Sequence, residues 1–134
     1  MRIVCDTNVL VSGLLFGGHA RAILQAVARG KVDAFTSSVL LDELRDVLSR
    51  PKFHMTSAQV ETFIGLITET FTCVSPSRQV SAVAEDADDD RVLEAAAEAR
   101  AHAVVSGDMH LLRLTEWEGI PMISPADFVA RHLK

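Results

Sequence analysis

The sequence predicts a three-layer α/β/α fold: a short, mainly parallel sheet of about five strands with helices on both faces. Three observations lead there. Short apolar segments alternate with amphipathic, helix-like ones along the whole chain. The hydrophobic fraction is 49%, which is globular rather than disordered. No internal repeat or low-complexity linker interrupts the 134 residues, so the chain reads as a single domain, 1–134.

The elements follow in order. "RIVC" at residues 2–5 is an apolar strand. "ARAILQAVARG" places Ile23, Leu24 and Val27 at helical spacing and stops at Gly30. "DAFTS" is a second strand, and "SSVLLDELRDVLSRP" a helix that opens on serine and ends before Pro51. "TSAQVETFIGLITETF" is a helix capped by Thr56 or Ser57, and "TCVSP" is a third strand. "DDDRVLEAAAEARA" is an alanine-rich helix, "HAVVSGD" a fourth strand and "IPMIS" a fifth. "PADFVARHL" closes the chain as a helix with Pro125 in its first turn. In parallel sheets of this kind, ligands bind beyond the carboxyl ends of the strands.

Charge and cysteine usage narrow the class. The net charge is -5, and only three residues are lysines, which argues against a protein that coats nucleic acid nonspecifically. Carboxylates that hold cations remain compatible with that balance. No apolar run approaches the roughly 18 residues of a membrane span, and no signal-peptide pattern opens the chain, so no membrane association is expected. Cys5 and Cys73 form no CxxC and lie in apolar surroundings. Both are expected as buried, reduced thiols in a cytoplasmic protein.

The acids carry the chemistry. Asp6 ends the first strand, with Thr7 and Asn8 beside it, and Asp108 follows the fourth in "VVSGD". Both are therefore expected at one edge of the sheet. A lone carboxylate at the end of a hydrophobic run needs a partner. In "SSVLLDELRDVLSR", Asp42 and Asp46 share a polar face with Arg45, Ser49 and Arg50, and Asp46 to Arg50 is an i,i+4 pair. Glu43 instead has Val39, Leu40 and Val47 as its helical neighbours, which puts it on or beside the buried stripe. Asp86, Asp88, Asp89 and Asp90 crowd the start of the next helix, more acids than capping requires. Helical angles alone do not choose between Asp89 and Asp90.

Converging carboxylates repel, by about 3 kcal/mol per pair at about 5 Å and an effective dielectric of about 20, and so call for cations. Oxygen-only ligands select Mg²⁺ or Mn²⁺ over zinc, and no paired histidines or cysteines offer a zinc site. His110 reads as a loop residue.

These segments together resemble the PIN-domain ribonucleases, most of all the VapC-like toxins of prokaryotic toxin–antitoxin systems. "DTNVLVSGLLFGG" resembles the first family motif and "TSSVLLDELRDVLSRPKF" the second. "DADDDRVLEAAAEARAHAVVSGDMHLL" resembles the third and fourth, and "GIPMISPADFVARH" the closing strand and helix. The resemblance implies a PIN-like fold and metal-dependent cleavage of single-stranded RNA. It matches Asp6, Glu43, Asp90 and Asp108 to the four metal-site acids, with Asn8 as the polar residue beside the first. It implies Mg²⁺ (or Mn²⁺) as cofactor, with a cognate antitoxin protein and a second copy of the chain as candidate partners. Arg21, Arg45, Arg91 and Arg113 are candidates for contacts to the substrate backbone.

The competing readings are weaker. A phosphatase of the haloacid-dehalogenase type requires D-x-D, where this chain has Asn8. A GxGxxG nucleotide site is absent from "SGLLFGG". The rival from another class is a catalytically idle PIN-like module that binds RNA or protein; the intact set of acids weighs against it.

Overall fold

Between the first strand and the glycines at 17 and 18, the chain forms a helix that its periodicity does not announce. The structure, a computed structural model, describes residues 1–83 and 87–134. Strand β1 (Arg2–Cys5) runs into helix α1 (Thr7–Leu15), whose N-cap is Asp6. The segment is apolar on several sides, so no helical stripe stands out, and Thr7, Val9 and Val11 read locally as strand formers. Tertiary packing decides: Thr7, Val9, Leu10, Val11 and Gly13 are all buried. Gly13 lets the next helix fold back closely, since a Cβ there would lie 2.5 Å from Leu24 Cδ1.

The remaining elements are α2 (Gly18–Ala28), β2 (Asp33–Ser37), α3 (Ser38–Leu48), a 3-10 turn at Pro51–Phe53, α4 (Ser57–Thr70) and β3 (Thr72–Val74). They continue with α5 (Ala87–Ala99), β4 (Ala103–Val105), α6 (Met109–Leu112), β5 (Glu116–Trp117), β6 (Ile120–Ile123) and α7 (Pro125–His132). Ser37 caps α3, Thr56 forms a capping box with Gln59 on α4, and Ser124 caps α7 with Pro125 behind it.

The sheet order is β3-β2-β1-β4-β6-β5. All pairs are parallel except β5 with β6. That last pair is a hairpin absent from the sequence reading. Trp117 pairs with Ile120 across a two-residue turn in which Glu118 and Gly119 both have positive φ, 50° and 81°. Such turns match the twist of a hairpin.

Alternation along the strands builds two cores. Ile3 and Cys5 of β1 join Ala34, Ala103 and Val105 in a cluster with α1, α2, α4 and α7. Val4 joins Val104 and Met122 in a second cluster against Val92, Leu93, Ala95 and Ala96 of α5. The three-layer α/β/α expectation is met, with six strands rather than about five. No single helix among the described residues is long and apolar enough to cross a membrane.

Several expectations are corrected. Cys73 is exposed, because β3 is a sheet edge; Cys5 is buried, and burial pushes its thiol pKa up. Val39 is 52% exposed rather than part of the buried stripe. His110 lies on α6, not in a loop. Asp86 lies outside the described residues.

Candidate metal centre

The sheet reverses its winding between β1 and β4, and the carboxyl ends of those two strands supply the centre of the site. Asp6 follows β1, and its main-chain N–H donates to Val105 O on β4 at 3.1 Å. Its extended backbone (φ -72°, ψ 166°) turns the carboxylate back over the start of α1, where Oδ1 accepts from Val9 N at 3.0 Å. Oδ2 accepts from the Ser106 hydroxyl. The same Ser106 Oγ accepts from Asp108 N at 2.9 Å. Asp108 in turn caps α6, taking His110 N at 2.7 Å.

One cavity of about 50 Å³ gathers these groups; its lining includes Asp6, Thr7, Asn8, Glu43, Asp88, Asp89 and Asp108. Four segments deliver them: the β1–α1 junction, the middle of α3, the first turn of α5 and the β4–α6 junction. Oxygen atoms of Asp89 and Asp108 and a ring nitrogen of His110 lie within 4.8 Å of one another. The His110 Nδ1 to Asp108 Oδ1 distance is 3.7 Å.

Electrostatics follow from burial. Asp6 is 4% exposed, and its pKa is raised above the ordinary carboxylate value, chiefly by burial and further by the charge of Asp108. The bonds from Ser106, Val9 and Asn8 oppose the rise without cancelling it. A divalent cation would reverse that balance by favouring the ionised form. The donor set fits one. The cavity's volume suits an ion with a water or two, at roughly 30 Å³ per water. Thr7, one of the lining residues, also has a buried hydroxyl oxygen with no hydrogen-bond partner among the described residues. Carboxylate oxygens suit Mg²⁺ or Mn²⁺. Asp6, Glu43, Asp89 and Asp108 are the residues that could hold the ion.

The structure brings Asp6, Asn8, Glu43 and Asp108 together at the cavity, and Asp90 is not among the lining residues. Asp90 Oδ1 accepts from Ala82 N and Val83 N, both at 2.9 Å. Four residues on, Glu94 Oε2 accepts from Val80 N at 2.9 Å, and after four more, Glu98 Oε1 accepts from Ser77 N at 3.0 Å. Spacing of four puts the three acids in one row along α5, and that row holds segment 77–83. Asp88 and Asp89 sit on the helix's other side, at the cavity. The 90/94/98 spacing was the available signal for the row.

The arginines also differ from expectation. Arg21 donates to Gly13 O and Leu14 O at the end of α1. Arg45 bonds Glu61 and Asp42, and among the described residues Asp46 and Arg50 form no ion pair. Arg91 bonds Glu94 and Val80 O. These three serve the fold; Arg113 is exposed.

Fold and site together define a mainly parallel α/β domain with a carboxylate-lined cavity at its topological switch point. The model of the PIN domain matches residues 2–110, and the chain belongs to the PIN-domain family, whose members are generally nucleases. Among solved structures, the chain is similar in fold to one in a structure of VapBC2 from Rickettsia felis bound to a promoter DNA fragment. That likeness has a TM-score of 0.65 at 15% identity and covers 92% of this chain and 98% of the other. It is also similar to a chain in a structure of FitAB bound to an IR36 DNA fragment, with a TM-score of 0.58 at 15% identity, covering 92% and 94%. No curated protein matches the sequence significantly.

Proposed function

We propose that this chain is a divalent-metal-dependent endoribonuclease acting on single-stranded RNA, and the toxin of a toxin–antitoxin pair. The observation that carries the reading is the convergence of Asp6, Glu43, Asp89 and Asp108 on one small cavity beside the β1–β4 seam. Asp89 takes the place that the family resemblance gave to Asp90. When bound, Mg²⁺ or Mn²⁺ lowers the pKa of a water and offsets charge on the scissile phosphate. The chain's own part is positional. Ser106 and Val9 N hold both oxygens of Asp6, so its carboxylate has one orientation. Ser106 also holds the Asp108 backbone, and Asp108 faces His110 across 3.7 Å. Asn8 stands at the exposed rim, where its amide can orient a phosphate oxygen.

The toxin role draws on two similar folds, which come from structures named as VapBC2 and FitAB bound to DNA. A cognate antitoxin, a homodimer and a cytoplasmic location belong to that same reading, as does a single catalytic domain spanning 1–134. Cleavage of single-stranded RNA by the purified protein, with Mn²⁺ or Mg²⁺ and with EDTA, tests the chemistry. Metal-dependent cutting that Asp6→Asn abolishes supports it. RNA binding with no cutting by the wild type in either metal would leave an idle binding module.

A further inference from the structure

A groove of about 720 Å³ opens next to the acidic cavity, and Asn8 lines both. Its walls differ in kind from the cavity's. Val11, Leu15, Phe16 and Phe53 make an apolar floor, and Arg50 and Lys52 supply cations. Phe16 is 71% exposed at the end of α1, an unusual place for a large apolar ring. Its centroid lies 6.3 Å from that of Phe53, the rings tilted by 52°. Lys52 Nζ lies 5.1 Å from the Phe53 centroid, within cation–π range. Among the described residues, neither Arg50 nor Lys52 is held in an ion pair. Lys52 is one of only three lysines in a chain of net charge -5.

We propose that this groove is the path of a single-stranded nucleic acid leaving the acidic cavity, with a base stacked on Phe16 and phosphates beside Arg50 and Lys52. The inference rests on the nuclease reading for its direction, since it names where the strand lies beyond Asn8. Exposed aromatics interleaved with cations are how proteins hold single strands without reading sequence: rings stack on bases, and cations follow the backbone. The volume lies within the roughly 300–1,000 Å³ of clefts that enclose ligands the size of a nucleotide. The five acids that line the cavity repel a bare phosphate chain, so a cationic approach on one side is needed to draw it in.

The test is fluorescence anisotropy of a labelled single-stranded RNA of about ten nucleotides, a typical site size for such grooves. It is titrated in the cold in Mn²⁺ with wild type, Phe16→Ala, Phe16→Trp and Lys52→Gln. Cutting of the same strand is followed separately on gels. Phe16→Ala is expected to weaken binding about ten-fold, the scale of one lost stack, and Phe16→Trp to keep it. Lys52→Gln is expected to flatten the slope of log affinity against log salt by about 0.7, one phosphate contact on a single strand. Wild-type affinity and salt slope in both Phe16→Ala and Lys52→Gln would overturn the proposal and leave the groove to a protein partner. Loss of affinity in the variants with no cutting by wild type would remove the nuclease reading while the groove assignment stands.

Discussion

Ser106 and Asp6 are a hundred residues apart in sequence and share a hydrogen bond across the seam between β4 and β1. The hydroxyl donates to the carboxylate and accepts from the amide of Asp108, so one small side chain joins two of the cavity's acids. Ser106→Ala should therefore cost about 1–3 kcal/mol of stability, the scale of leaving a buried acceptor unsatisfied. It should also weaken Mn²⁺ affinity by an order of magnitude, because Asp6 and Asp108 lose their common reference. Thermal melts in EDTA and Mn²⁺ calorimetry check the two effects separately.

Asp6→Asn should leave the fold intact and abolish metal-dependent cleavage. Asparagine caps a helix about as well as aspartate, so the bond from Val9 N survives. Burial and Asp108 already disfavour a charge at this position, so the neutral variant should melt no lower than wild type in EDTA. A variant that still cuts RNA at the wild-type rate in Mn²⁺ would refute the site.

The neighbouring acids Asp89 and Asp90 should separate cleanly. Asp89→Ala is expected to lose Mn²⁺ affinity and activity by orders of magnitude with little loss of metal-free stability. Asp90→Ala removes an acceptor of two main-chain amides and should cost about 2–3 kcal/mol, as bonds to a charged group do, while Mn²⁺ still binds. Calorimetric titration alongside denaturant melts reads both quantities, and the opposite pattern would return the ligand role to Asp90.

On α3, Glu43→Ala should sharply reduce activity, while Asp42→Ala and Asp46→Ala stay within about two-fold of wild type. Glu43 is half-buried at the cavity, whereas Asp42 and Asp46 are exposed on the far face. Surface pairs such as Asp42 with Arg45 contribute about 0–1 kcal/mol. Three equal activity losses would show that the helix face is misassigned.

The Arg78 guanidinium, bonded to both oxygens of Glu118 at 2.8 Å, holds that carboxyl below its ordinary pKa. Its contribution to stability is present above the unfolded-state value and disappears as pH falls through the lowered folded-state value. The pair is open to solvent, so the effect on melting is small. An NMR titration of Glu118 should show a depressed midpoint that Arg78→Gln returns to the ordinary range.

How much could be read beforehand depended on where the deciding contacts lie. The parallel sheet was legible because β1, β4 and β6 are each built on short apolar runs bounded by polar residues. Asp6, Glu43 and Asp108 were legible because strand ends and helical spacing are local properties. Helix α1 was not, since burial on several sides erased its periodicity. The exposure of Cys73 depends on β3 being an edge strand, which only the strand order reveals. Asp89 and Asp90 are separated by the position of segment 77–83, a partner outside the helix itself.

The row Asp90, Glu94 and Glu98 fastens that segment entirely through its main-chain amides. None of those bonds asks anything of the side chains at 77, 80, 82 and 83; Val80 and Val83 are buried in the second core, but positions 77 and 82 are exposed, and sequence there is free to drift with little effect on the fastening. Proline is the exception, because it has no N–H to donate. A library randomised at the two exposed positions, 77 and 82, should thus tolerate nearly every residue type and discard one.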